Sequence, residues 1–274
     1  MIMSALCFAI MSAMIRLSGD LPIFEKVFFR NLIILFPAFY SAVKSGQNLL
    51  GKPENRKYLL ARALFGVVAV VTYFYAVDNL LLADSAMLNR MSPFFVTVFA
   101  YFFLKEKFSR LQIPALFIVF LAALLIIKPK FDAAILPALS GFFSAIMSGA
   151  AYTMLRILGS KEKSAVIIFY FASVTIVIIA PLMLMNFRNP NGIQLLFLIL
   201  TGVFAAGGQF WLTLSYRFSK AAEVSIYNYT NIIFASIAGF IIWKEVSDMW
   251  SLIGGAIIVT TSFIIFLHNR GREF

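Results

Sequence analysis

Charge is scarce in this chain. Charged residues fill 13% of its 274 positions against 62% hydrophobic residues, a balance that excludes an ordinary soluble domain and places the chain in a bilayer. A single cysteine, Cys7, excludes an internal disulfide and reads as a small packing residue of the first apolar run. The one histidine, His268, lies at the tail, and no cluster with metal-ligand spacing accompanies it. No phosphate-binding loop is present, so an ATP-driven pump would need a partner chain. No aspartate-rich motif marks a membrane prenyltransferase. Neither an enzyme nor a cofactor is expected. Acidic residues number 12 against 23 basic ones, and Glu25, Asp78, Asp84, Glu106, Glu162, Glu223 and Glu245 cluster near the ends of apolar runs. Proton coupling through a mid-span carboxylate therefore has no support in the sequence.

What the chain does have is an internal repeat. Shifted by 139 positions, Ala83, Asn89, Phe95, Lys105 and Glu106 recur as Ala222, Asn228, Phe234, Lys244 and Glu245, while Asp84 becomes Glu223 and Ala100 becomes Gly239. A repeat inside an apolar polytopic chain points to a transporter, because repeated membrane units commonly meet at a substrate site near the midplane.

Apolar runs predict an all-α integral membrane protein with spans near 1–17, 23–43, 59–80, 84–104, 111–128, 135–156, 164–185, 193–215, 222–243 and 250–267. Ten transmembrane helices divide into two five-helix repeats, 1–128 and 129–274. An odd number of spans per repeat inserts the halves in opposite directions, giving an inverted repeat. Residues 1–17 read as the first span and not as a signal peptide, since no positive charge precedes the run and Arg16 follows it. With both termini cytoplasmic, Lys44, Lys52, Arg56, Lys57, Arg62, Lys105, Lys107, Arg110, Arg156, Lys161, Lys163, Arg217, Lys220, Arg270 and Arg272 fall inside; Arg16, Lys26, Lys128, Lys130, Arg188 and Lys244 fall outside. The net charge of +11 is then a topology signal and an attraction to anionic lipids, not a nucleic-acid footprint. A multi-pass protein of the cell inner (plasma) membrane is expected, and a homodimer is compatible with this reading.

Two five-helix halves, the stretch EKVFFR from Glu25 to Arg30, TYFYAV in the third span, NRMSPFF in the fourth, and the KE pairs closing the fourth and ninth resemble the EamA family of the drug/metabolite transporter superfamily. The resemblance covers the whole chain and implies a carrier of small metabolites. Members include amino-acid exporters and S-adenosylmethionine carriers, and EKVFFR and YLLARALFGVVAVVTYFYAV are similar to the latter branch.

Polar residues inside spans carry the chemistry, because hydrocarbon makes them costly unless they face protein or a wet cavity. Arg30 and Arg90 lie at similar depth, roughly 10 Å below the outer ends of the second and fourth spans. Two cations at one level suit a carboxylate or phosphate of the substrate. The competing reading has Arg30 snorkel or pair with Glu25, Asp78 or Asp84. In the ninth span Tyr227, Asn228, Asn231, Phe234, Ala235 and Ala238 share one α-helical face. Its repeat partner is Leu88, Asn89, Ser92, Phe95, Val96 and Phe99. Each face serves either as a cavity wall or for interhelical packing. Tyr227 and Asn231 beside Asn228 make the inner side richer in hydrogen-bonding groups, so Asn228 is expected to contribute more than Asn89. Tyr73, Tyr75, Tyr152, Tyr170, Phe210, Trp211, Tyr216 and Tyr229, with Gln209 among them, offer stacking surfaces. Of Pro37, Pro93, Pro114 and Pro181, the one beside Asn89 and Arg90 is tied to a site. The KE pairs read as interface anchors.

The expected function is alternating-access transport of a small organic metabolite, an amino acid or related compound. The alternatives are an S-adenosylmethionine-type uptake carrier and a non-transporting membrane structural protein.

Overall fold

A computed structural model describes residues 1–46, 48–105, 111–128, 135–159, 161–218 and 226–270. Long apolar runs become helices because a backbone surrounded by hydrocarbon must satisfy its own hydrogen bonds. In order these are α1 (Ile2–Leu17), α2 (Ile23–Lys44), α3 (Arg56–Asn79), α4 (Leu82–Asn89), α5 (Ser92–Leu104), α6 (Gln112–Ile127), α7 (Leu136–Leu158), α8 (Ser164–Met185), α9 (Gly192–Phe218), α10 (Thr230–Trp243) and α11 (Met249–Arg270). Short 3-10 turns precede α3 (Pro53–Asn55) and α10 (Ile226–Tyr229).

Among the described residues, seven helices are long and apolar enough to cross a membrane, with α4 and α5 taken as one rod. That is fewer than the ten predicted. The shortfall is one of length: α1 and α6 have 16 residues each and α10 has 14. At about 1.5 Å per residue, 14 residues reach about 21 Å, short of a hydrocarbon core of about 30 Å.

The predicted fourth span is broken. Arg90 and Met91 leave α-helical geometry, and Met91 N–H bonds back to Leu88 O, three residues earlier, at 3.1 Å. Pro93 accounts for this, since it offers no N–H to the carbonyl of Asn89 and its ring crowds that carbonyl. Pro37 and Pro181 sit inside unbroken helices, and Pro114 lies in the first turn of α6, where a missing N–H costs nothing.

The principal packing pairs are α3 with α7, α2 with α8, α1 with α9, α6 with α11, α5 with α7, α1 with α10, α2 with α9, α3 with α8, and α4 with α10. Small residues let these backbones approach. A Cβ at Gly254 would come within 2.7 Å of the Ala122 carbonyl oxygen, where α11 crosses α6, and one at Gly149 would come within 3.0 Å of the Phe95 carbonyl carbon, where α7 crosses α5. Two apolar clusters result. One joins Met87, Leu88, Val119, Ala145, Ile232 and Ile258; the other joins Met11, Ile34, Val67, Phe74, Ala172, Ile179 and Ala205.

The bundle ends differ in their polar chemistry. At one end Arg16 pairs with Glu245 at 2.5 Å, Lys26 with Asp78 at 2.7 Å, and Lys128 with Asp248. There too Asp84 accepts from Ser247 Oγ at 2.7 Å and Ser251 Oγ at 3.3 Å, and Glu25 accepts the backbone N–H of Arg188 at 3.3 Å. Glu245 also accepts from the N–H of Leu82, so it ties α1 and α4 to the end of α10 and is more than an interface anchor. Its partner in the first repeat, Glu106, lies outside the described residues. At the opposite end Glu162 accepts from Lys52 N–H and Asn55 Nδ2, both at 2.8 Å, and Lys57 and Lys161 both lie over the ring of Tyr58.

Candidate functional site

A cavity opens between the two apolar clusters, framed by α1, α2, α3, the α4–α5 break, α7, α8 and α9. The room inside it for water-sized molecules is about 80 Å³, below the range of about 300–1,000 Å³ usual for small-molecule sites. Of the predicted residues, Arg30, Asn89, Arg90, Tyr152 and Gln209 line it, together with Tyr73. Tyr75 faces elsewhere.

Three guanidinium groups reach the cavity, each more than nine-tenths buried: Arg30 at 3% exposure, Arg62 at 7% and Arg90 at 7%. None has a carboxylate partner among the described residues, because the acids that competed for Arg30 are engaged at the ion-paired end. Asp78 takes Lys26, Asp84 takes two serines, and Glu25 takes a backbone N–H. Arg30 makes one long contact, Nη1 to Asn31 Oδ1 at 3.3 Å, and its Nε is buried without a hydrogen bond. Burying such a group uncompensated costs several kcal/mol.

Arg62 was missed in the sequence, where it was counted among the inner-side topology charges. A long side chain on a helix normally leans toward the helix N-terminus, which for α3 is the basic end. Here it lies along its own helix beside Gly66: a Cβ there would stand 2.5 Å from Arg62 Nη1. Its guanidinium stacks over the Phe171 ring at 4.5 Å from the centroid, and its Nε is unpartnered. ARALFG in the third span, an arginine followed one turn later by glycine, was the available signal.

Arg90 is held differently. It closes α4, and its Nε donates to Asn231 Oδ1 at 3.1 Å, while Asn231 Nδ2 donates to the Ala5 carbonyl at 2.8 Å. One buried amide thus links the break, α10 and α1. Asn89 Nδ2 donates to Ser144 Oγ at 3.0 Å, and the Tyr73 hydroxyl shares a hydrogen bond with Ser12 Oγ at 2.9 Å. Ser148, on α7, adds a hydroxyl to the wall that sequence reasoning did not select.

The side chain of Tyr216 lies outside the described residues, and the remaining predicted residues are not brought to the cavity. Asn228 is buried with its Oδ1 unpartnered, and Tyr227 is half exposed. The predicted common face assumed α-helical rotation from 222 onward. Residues 226–229 form a 3-10 turn, which rotates about 120° per residue, and that separates Tyr227 from Asn231. Tyr229 is a core residue bonded to Ser262 at 2.6 Å, Tyr170 packs beside Leu59, Leu158 and Ile167, and Phe210 and Trp211 face outward.

The EamA-like transporter family matches residues 1–128 and again 135–267. The pseudopaline exporter CntI of Pseudomonas aeruginosa (strain UCBPP-PA14) is 32% identical over 273 residues, covering 98% of this chain and 95% of that one. Human solute carrier family 35 member G1 is 28% identical, covering 95% and 76%, and an S-adenosylmethionine uptake transporter of Rickettsia felis is 25% identical, covering 91% and 84%. A crystal structure with 14% identity superposes with a TM-score of 0.67 over 94% of this chain and 93% of its own, a likeness of fold. With its apolar helices and a cavity lined from both matched segments, this chain is a multi-pass membrane protein and belongs to the EamA-like transporter family.

Proposed function

We propose that this chain is an alternating-access carrier that moves a small organic metabolite with an anionic group, an amino acid or related compound, across the inner membrane. The observation that carries this reading is the set of buried arginines lining a cavity to which both halves contribute, with no carboxylate to neutralise them among the described residues. A protein whose repeat served packing alone would gain nothing from holding these charges in a low-dielectric interior. The same electrostatics disfavours a carrier selective for S-adenosylmethionine, whose sulfonium is cationic.

Two inverted repeats, 1–128 and 129–274, fit the packing. Exchanging the halves turns α1–α9 into α3–α7, α1–α10 into α5–α7 and α2–α9 into α3–α8, and leaves α2–α8 and α6–α11 in place. Backbone detail repeats too. Lys105 and Lys244, 139 positions apart, both end their helices in the left-handed region, at φ 56° and 59°. Alternating access is then rocking of one half against the other around the cavity. Both termini and the 44–58 loop are cytoplasmic in this reading, which puts the ion-paired end outside.

A thermal-shift screen of purified protein against amino acids, nucleosides and their adducts tests the reading, followed by counterflow of any stabilising compound in proteoliposomes. A ligand with saturable, trans-stimulated flux is expected. Absence of any ligand together with absence of flux would leave packing as the role of the repeat.

A further inference from the structure

The geometry points to a substrate that carries at least two separate anionic groups, one received by Arg30 and Arg62 and the other by Arg90. This rests on the carrier reading above and narrows its substrate class.

The cavity has two cationic poles of different construction. Arg30 and Arg62 come from neighbouring helices and line the same cavity as Tyr152. Both Nε atoms are buried without acceptors, and each guanidinium rests on a phenylalanine ring, Arg30 on Phe74 at 6.0 Å and Arg62 on Phe171 at 4.5 Å. Aromatic faces hold a guanidinium in place without using its N–H donors, so the donors stay available. Two like charges held together this way are stabilised by an anion that bridges them.

Arg90 is the second pole. Its Nε is taken by Asn231, which fixes the plane of the fork and leaves the Nη groups without a protein acceptor among the described residues. That is the end of a guanidinium suited to a bidentate oxyanion. The other polar residues of the wall are neutral: Asn89, Ser148, Gln209, Tyr73 and Tyr152 offer hydrogen bonds without charge. Three guanidinium charges facing no carboxylate match a ligand with two or more anionic groups, whereas one with a single anionic group would leave one pole unpaired and desolvated.

The test compares acids with their amides by thermal shift and by dissociation constant on full-length purified protein. Glutamate, aspartate and citrate are set against glutamine, asparagine and alanine, with S-adenosylmethionine as the cationic arm. Phosphoserine with inorganic phosphate reports whether phosphate substitutes for carboxylate. The acids with two or more anionic groups are expected to bind at least tenfold more tightly than their amides. Arg62→Gln should bring glutamate to within about threefold of glutamine, and Arg62→Lys should restore part of the gap. Amides binding as tightly as acids in the wild type would overturn the inference without any mutant. So would preferential binding of S-adenosylmethionine or a neutral nucleoside, which leaves the carrier reading standing. No binding and no flux with any class would overturn both.

Discussion

Asn231→Ala removes the amide that orients Arg90, and its consequences separate into two measurable parts. The side chain is 1% exposed, accepts from Arg90 Nε and donates to the Ala5 carbonyl. A hydrogen bond to a charged group contributes about 1.5–3 kcal/mol and a neutral one about 0.5–1.5 kcal/mol, so unfolding free energy should fall by about 2–4 kcal/mol. Affinity should fall separately. An Arg90 free to rotate makes its bidentate contact with the substrate in fewer of its conformers, and losing one charge-assisted bond weakens binding about 10–100-fold. The assay is calorimetric titration with the anion that stabilises the wild type most, alongside denaturation in the same detergent. Asn231→Asp keeps the acceptor for Arg90 but loses the donor to the Ala5 carbonyl and supplies an internal carboxylate to Arg90, so it should lose anion affinity along with part of the stability. Ser262→Ala, which removes the bonds to Tyr229 and to the Ile258 carbonyl, should lower stability and leave affinity intact. An Asn231→Ala protein that is destabilised yet binds within twofold of wild type would refute Arg90 as a substrate contact.

Four further outcomes follow from the geometry. Gly66→Ala places a methyl group 2.5 Å from Arg62 Nη1 and 2.7 Å from Phe171; the flexible guanidinium gives way, and anion affinity should drop about tenfold with little change in the melting temperature. Glu245→Gln breaks the pair with Arg16 and should cost about 1–3 kcal/mol at that half-buried site, while a cysteine at Leu81 should react several-fold faster with an impermeant maleimide as the outer end opens. In a protein with Cys7 replaced, a cysteine at Asn189 should label in intact cells and one at Asn48 should not; the reverse pattern would invert the topology. Asn89 is on the cavity wall and Asn228 is off it, so calorimetry should show Asn89→Ala weakening binding more, by about 1–2 kcal/mol, and equal affinities would assign both to packing.

Much of the fold was legible because the repeat constrains it twice. The 139-residue offset predicts equivalent helix ends, and Lys105 and Lys244 take the same left-handed cap. Helix starts recur as well: α5 begins at Ser92, and α10 begins at Thr230, the repeat position of Met91. Pro93 announces the first of these, whereas Ile232 occupies its place in the second half, so the 3-10 turn at 226–229 had no local signal. That turn is what scattered the predicted Tyr227, Asn228 and Asn231 face. The site was readable where depth decided, as for Arg30 and Arg90, and unreadable where side-chain direction decided. Arg62 near a helix end has the same sequence signature whether it snorkels to the cytoplasm or folds along Gly66 into the interior, and only the contact with Phe171 on α8 distinguishes the two.

Counterflow tests the central claim most directly. Proteoliposomes loaded with the unlabelled form of the best-stabilising anion, and diluted into a trace of its labelled form, should show transient accumulation above equilibrium in the wild type and none in Arg90→Ala protein that inserts normally. Uptake that rises linearly with concentration, without overshoot, or an overshoot that survives Arg90→Ala, would contradict a carrier working through this cavity.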